Sequence, residues 1–192
     1  MRLSAITTNG RRLIDFGGAC ATATLLWVAT TAAASPPDEQ HFIETNYCAV
    51  YERLRLIRRS GNPDTSHDRF LAVTRADDAG AYVQCIFFEN STKLYCEANS
   101  GLYSGATPAT ATYVLPPERI AALGKLGFDI EVKDGNYKQE IAASDDKALG
   151  AVAKMLLKAL VVGYGGRADT KLKYVAPFAP ESRGPYRCLA TS

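Results

Sequence analysis

The chain has 192 residues, of which 47% are hydrophobic, 22% charged and 9% aromatic, and 22 Lys and Arg against 20 Asp and Glu give a formal charge of +2. This length and mixture fit one globular domain with a real core. They exclude a disordered chain, a collagen-like repeat and a protein built to coat nucleic acid.

Residues 1–34 read as an export signal. Arg2, Arg11 and Arg12 give a positive start, no charged residue occurs from Phe16 to Ala34, and the run ends in Ala32-Ala33-Ala34-Ser35, a small-residue cleavage site. The Arg11-Arg12 pair also matches a twin-arginine signal loosely, so the general and twin-arginine export routes both stay open. An uncleaved inner-membrane anchor is a third reading, because the uncharged run can just span a ~30 Å hydrocarbon core. Lipid attachment at Cys20 is rejected, since Gly17-Gly18-Ala19 lacks a large apolar residue there.

Cleavage after Ala34 removes Arg2, Arg11, Arg12 and Asp15, which brings the formal charge to zero. Cys20 leaves as well, so the remaining cysteines are Cys48, Cys85, Cys96 and Cys188. An even set in an exported chain favours disulfides and a periplasmic or secreted location.

Residues 35–40 form a polar, Pro-containing lead. A helix is predicted over His41–Arg59, with Ile43, Tyr47, Val50, Leu54 and Ile57 on its apolar stripe and Arg53, Arg55, Arg58 and Arg59 mostly off it. Ser60-Gly61-Asn62-Pro63 stops it. Strands follow at Arg69–Thr74, Ala81–Glu89 and Lys93–Ala98, the last two forming a hairpin around Asn90-Ser91. A loop of two or four residues gives one register, with Phe87 opposite Leu94, Cys85 opposite Cys96 and Val83 opposite Ala98 on one apolar face. The other face pairs Gln84 with Glu97 and Phe88 with Lys93, which suits partial exposure.

Residues 99–114 are rich in Gly, Ser and Thr, with room for an edge strand near Thr110–Leu115. Pro116-Pro117-Glu118 opens a short helix with Ile120, Leu123 and Leu126 as apolar positions and Gly127 as its end. Asn136–Ala143 alternates as a strand. Ser144 is the expected N-cap of a last helix, whose stripe is Leu149, Val152, Ala153, Leu156 and Leu160, and which Gly163 and Gly165-Gly166 end. The domain thus spans 41–166, and the Pro-rich tail 167–192 is expected to be mostly irregular.

Cys85 and Cys96, opposite one another in the hairpin, are the first disulfide candidates. Cys48 and Cys188 remain as a second pair that would pin the tail to the first helix, with buried free thiols as the alternative. No Cys-x-x-Cys occurs, so a thioredoxin-like site is not expected. His41 and His67 lack neighbours at ligand spacing, so no metal is expected, and no cofactor. Ser144-Asp145-Asp146-Lys147 matches Ser-x-x-Lys, but Ser-Asp-Asn and Lys-Thr-Gly are missing and capping explains Ser144. Gly163–Ala168 matches Gly-x-Gly-x-x-Ala, but these glycines close a helix rather than open one, so a C-cap is the better reading. Arg53, Arg55, Arg58 and Arg59 are the only local charge excess: a solvated helix face, or a basic face for an acidic partner or a weak membrane-surface contact.

The segment from Tyr82 to about Gly166 resembles the YbjN family and its relatives among type III secretion chaperones of the CesT kind. The resemblance rests on the paired strands Tyr82-Val83-Gln84-Cys85 and Leu94-Tyr95-Cys96-Glu97-Ala98, then Leu115-Pro116-Pro117-Glu118 opening a helix that Leu123–Phe128 closes. A strand from Asn136 and a long helix ending near Val162-Gly163-Tyr164-Gly165 complete it. It implies an α+β fold in which helices pack on one face of an antiparallel sheet. Here that means about four to five strands and three helices in the order α-β-β-β-α-β-α. It also implies non-enzymatic binding of peptides or partner proteins, often as a homodimer. The export signal and the extra cysteines depart from the family pattern and argue against a cytosolic secretion-chaperone role.

The sequence therefore predicts an exported, disulfide-stapled binding module for a peptide or protein partner, with no nucleic acid. The alternative is a small envelope hydrolase with a site assembled from dispersed residues such as Asp77, Asp78, Tyr103 and Ser104.

Overall fold

The computed structural model describes residues 36–102, 115–131, 135–179, 186 and 188, all within a compact unit spanning Ala32–Ser192. The export-signal reading of 1–34 and the edge strand expected near 110–115 fall largely outside them; Leu115 itself lies in coil. In chain order the elements are α1 (Pro36–Arg59), β1 (Phe70–Arg75), β2 (Asp78–Phe88), β3 (Lys93–Ala98), α2 (Pro117–Lys125), β4 (Tyr137–Ala142), α3 (Asp146–Tyr164) and β5 (Leu172–Val175). The fold is α+β, and the predicted sequence of elements is present with one addition. The segment read as irregular tail supplies β5, which pairs antiparallel with β1 at the sheet edge. Its four residues alternate too briefly for a strand to be recognised without its partner.

The sheet order is β4-β3-β2-β1-β5, antiparallel throughout. The β2–β3 register is the predicted one: Phe87 opposite Leu94, Cys85 opposite Cys96 and Val83 opposite Ala98, with a four-residue loop between Phe88 and Lys93. Glu89, Asn90 and Ser91 in that loop all have positive φ (46°, 53° and 65°), a left-handed turn that suits Asn best. Because strand side chains alternate, this register directs Val83, Cys85, Phe87, Leu94, Cys96 and Ala98 to one side, where all are buried. Leu71 and Val73 of β1 join them.

The helices cover that side. In α1 the buried positions are Phe42, Tyr47, Val50, Tyr51, Leu54 and Ile57. Ile43, expected on the stripe, is only partly buried, because the helix begins at Pro36 within the expected lead and Phe42 faces the core instead. In α3 the predicted stripe is buried in full. The two helices run antiparallel: Arg58 near the end of α1 meets Asp146 at the start of α3, and Glu39 near the start of α1 meets Lys158. The N-cap of α3 is Asp145, not Ser144, and its carboxylate accepts a hydrogen bond from Ala148 N at 2.7 Å. Gly165, at φ 71°, closes α3 with Gly165 N to Val161 O and Gly166 N to Leu160 O, a Schellman arrangement. Gly163 lies inside the helix rather than at its end, and a Cβ there would sit 3.0 Å from Leu123 of α2. Its missing side chain lets α2 dock on α3.

One buried charge joins the first helix to the sheet. Arg69 is 2% exposed, and its guanidinium donates to three carbonyls at the end of α1: Ser60 O (3.1 Å), Ile57 O (3.2 Å) and Arg58 O (2.9 Å). A cation there supplies donors to carbonyls of the last turn, of which Ile57 O also accepts from Ser60 N at 3.2 Å, and complements the negative end of the helix dipole. Its own carbonyl accepts from Phe87 N, at the start of the β1–β2 pairing. Removing the guanidinium takes this donor from Ser60 O and Arg58 O and leaves Ile57 O with Ser60 N alone. Arg69→Met is therefore expected to lower stability by about 2–4 kcal/mol, from the ~1–3 kcal/mol cost of each unsatisfied buried group with partial relaxation. Urea unfolding followed by circular dichroism measures this, and a loss below about 0.5 kcal/mol would contradict the capping role.

Candidate functional site

The same alternation that fills the core leaves a second face on the sheet. Among the described residues no helix packs on it. Its rows follow from the register. One row runs Glu140, Tyr95, Ile86 and Phe70 across β4, β3, β2 and β1. The next runs Lys138, Glu97, Gln84, Ala72 and Val175 into β5. Phe88, opposite Lys93, extends the apolar area beyond Ile86. Val175 is 54% and Ile86 38% exposed, values that a helix-covered strand would not show.

Phe70, Ile86, Tyr95, Gln84 and Glu97 surround a shallow hollow of about 190 Å³. Gln84 Nε2 donates to Glu97 Oε2 at 2.5 Å across its polar side, so the predicted Gln84–Glu97 pair is formed. The Lys93 ammonium lies 5.8 Å from the Phe88 ring centre and pairs with Glu89 at 3.0 Å. An apolar strip in a rim of both charge signs suits burial of apolar side chains with hydrogen bonds at the margin.

The four predicted cysteines form two disulfides, Cys85–Cys96 and Cys48–Cys188, with Cα separations of 4.0 and 5.3 Å. The structure thus favours bridges over free thiols. The four arginines do not form one exposed basic face. Arg53 is 4% exposed. Its guanidinium lies 4.0 Å from the Tyr174 ring centre and 4.5 Å from that of Tyr186, and it donates to Ala49 O at 2.9 Å. The helical pattern placed it off the stripe, but β5 and Tyr186, distant in sequence, cover it. Arg55, Arg58 and Arg59 converge on Asp146, at 3.4, 2.7 and 3.5 Å, and Arg55 also pairs with Glu52. Only Arg59 keeps more than half its side chain exposed. Most of this charge ties the end of α1 to the start of α3, where both helix dipoles favour it.

Of the residues offered for a hydrolase site, Asp77 and Asp78 are each engaged by local contacts. Arg75 pairs with Asp77 at 2.7 Å and holds its carboxyl below the usual range. Asp78 accepts from Gly80 N in a turn. Tyr103 and Ser104 lie outside the described residues. Among the described residues no group of three or more His, Cys, Asp or Glu has the geometry to hold a metal ion. His41 and His67 are exposed. Ser144 and Lys147 are exposed as well, at the start of α3.

Ile86 and Tyr95 could have been found from sequence, since they fall between the two outward pairs already in the hairpin register. Phe70 and Val175 could not, because their place depends on which strands neighbour β2 and β1.

Burial pushes the Tyr174 hydroxyl up to about 12, against an ordinary value of 10.0, and the neighbouring Arg53 lowers it only in part. The folded state therefore favours the neutral phenol. Its stabilising contribution is complete below pH 10 and is lost as pH rises towards about 12. Tyr51 and Tyr137 are also raised by burial, so ultraviolet titration should show a late-ionising tyrosine component that Tyr174→Phe diminishes, and ionisation of every tyrosine near its ordinary value would contradict the packing described.

No family model, no curated protein and no solved structure matches this chain.

Proposed function

We propose that this protein is an exported, non-enzymatic binding module that holds an apolar segment of a peptide or protein partner against the open face of its sheet. One observation carries the reading: a five-stranded sheet has helices on one side, and on the other a strip of Phe70, Ile86, Phe88, Tyr95 and Val175 ringed by lysine and glutamate. Apolar side chains on such a strip gain ~25 cal/mol for each Å² a partner covers, and the charged rim sets orientation. The hollow beside Ile86 offers a seat for one side chain of the partner. The order of elements that resembles YbjN and CesT-like domains supports the same reading.

Two disulfides fit an oxidising compartment. No helix among the described residues is long and apolar enough to cross a membrane. The disulfides, together with the signal-like residues 1–34, support a periplasmic or secreted location. The mixed rim gives no single-sign field that would draw nucleic acid.

The test is an array of immobilised 12-residue peptides of defined sequence probed with the purified protein. Peptides with aromatic and aliphatic clusters should be retained. Ile86→Lys places a charge in the strip's centre and should weaken that retention by about tenfold or more, the factor that ~1.4 kcal/mol gives. Leu56→Lys, on an exposed α1 position, should leave it unchanged. Retention indifferent to peptide composition, or equal for Ile86→Lys and the unaltered protein, would overturn the reading.

A further inference from the structure

On the helical side of the sheet, a hollow of about 560 Å³ lies between α1 and α3. Tyr47 and Tyr51 line it from α1, and Asp146, Lys147, Gly150 and Lys154 from α3. The two tyrosines stand four residues apart on one face of α1, each 7% exposed, with ring centres 5.5 Å apart and planes 7° from parallel. The Lys154 ammonium lies 5.6 Å from the Tyr47 ring centre, and the Arg55 guanidinium 5.5 Å from that of Tyr51. The rings are thus engaged, but the hydroxyls are not: among the described residues neither has a hydrogen-bond partner. Polar tips of largely buried side chains are ordinarily paired, so two unpaired phenols on one hollow mark a place for a ligand. A Cβ on Gly150 would lie 2.7 Å from the Tyr47 hydroxyl oxygen, so the missing side chain lets that hydroxyl sit against α3.

Charge decides which ligand suits these donors. Lys147 and Lys154 are seven residues apart, hence on one face of α3 and about 10 Å from each other along its axis. Neither makes an ion pair among the described residues. Asp146 brings the opposite charge, but Arg55, Arg58 and Arg59 surround it at 3.4, 2.7 and 3.5 Å. Burial, and after it Asp146, pushes the Tyr51 hydroxyl up, so it stays a neutral donor. We propose that this hollow is a second binding site, for a small organic oxyanion. Its phosphate or carboxylate oxygens accept hydrogen bonds from the Tyr47 and Tyr51 hydroxyls and the Lys147 and Lys154 ammoniums. The volume falls within the ~300–1,000 Å³ of small-molecule sites and exceeds what a bare inorganic anion fills, so the ligand carries a carbon skeleton. The site is separate from the open sheet face and does not depend on the binding proposed there.

The test uses the protein with both disulfides formed and isotope-labelled tyrosine, titrated with glycerol phosphate, glycerate, inorganic phosphate and glycerol and followed by NMR. Tyr47→Phe and Tyr51→Phe keep the rings and assign the two signals by their loss. Glycerol phosphate or glycerate should shift both signals saturably below about 10 mM, the tighter of the two naming the head group, and glycerol should not. Inorganic phosphate should bind about tenfold more weakly or worse. Tyr51→Phe, Lys147→Gln and Lys154→Gln should each weaken binding about tenfold, whereas Lys173→Gln on β5 should not change it. No saturable shift with either organic anion, or an equal one with glycerol, would overturn the proposal. So would inorganic phosphate binding as tightly as the organic anions, or affinity unchanged in Tyr51→Phe and Lys147→Gln.

Discussion

The register of β2 against β3 is the constraint on which both sides of this molecule depend. Side chains in a strand alternate with a period of two, so a slip of one residue would turn Val83, Cys85 and Phe87 outward and Gln84, Ile86 and Phe88 inward. The core would then have to accept Gln84 and give up Val83 and Phe87. Cys85 opposite Cys96 fixes the alignment covalently, and the left-handed turn at Glu89–Ser91 fixes it from the loop. Core and open face are two consequences of one alignment.

Around that sheet, charge serves mainly to secure helix ends. Arg69 closes the carbonyl end of α1 from within the core. Arg55, Arg58 and Arg59 meet Asp146 where α1 ends and α3 begins. Arg75 donates to Tyr164 O at the end of α3. Carbonyls at a helix end carry partial negative charge, and a guanidinium can satisfy several at once because its donors form a planar fork. A count of basic residues along α1 suggests a surface for acidic partners, whereas their contacts show that much of that charge is neutralised within the fold.

The open face owes its character to the absence of that arrangement. Gln84 and Glu97 stand beside its aromatic and aliphatic residues, and Lys93, Lys138 and Glu140 lie towards its margins. A second buried network closes one end of the sheet: Tyr164 donates to Asn99 O at 2.7 Å, Asn99 to Gly80 O at 2.7 Å, and Asn136 to the Tyr82 hydroxyl at 3.0 Å. These bonds hold the ends of β2, β3 and β4 in a fixed relation, so the strip on the open face is presented by a rigid support.

What the sequence determined by itself was everything governed by short-range periodicity. These were the helical and strand segments, the hairpin register, the placing of Cys85 opposite Cys96 and the stripe of α3, because each depends on neighbours a few residues apart or across one turn. It identified Cys48 and Cys188 as partners only by remainder. Tertiary structure decided the rest. β5 is a strand because β1 offers an edge to pair with, and its four residues carry too little pattern alone. Arg53 is buried because Tyr174 and Tyr186 arrive from far along the chain, which no helical wheel of α1 contains. The open strip exists because Phe70 and Val175 are brought beside Ile86 and Ala72 by strand order, and strand order is set by long-range pairing that local sequence does not encode.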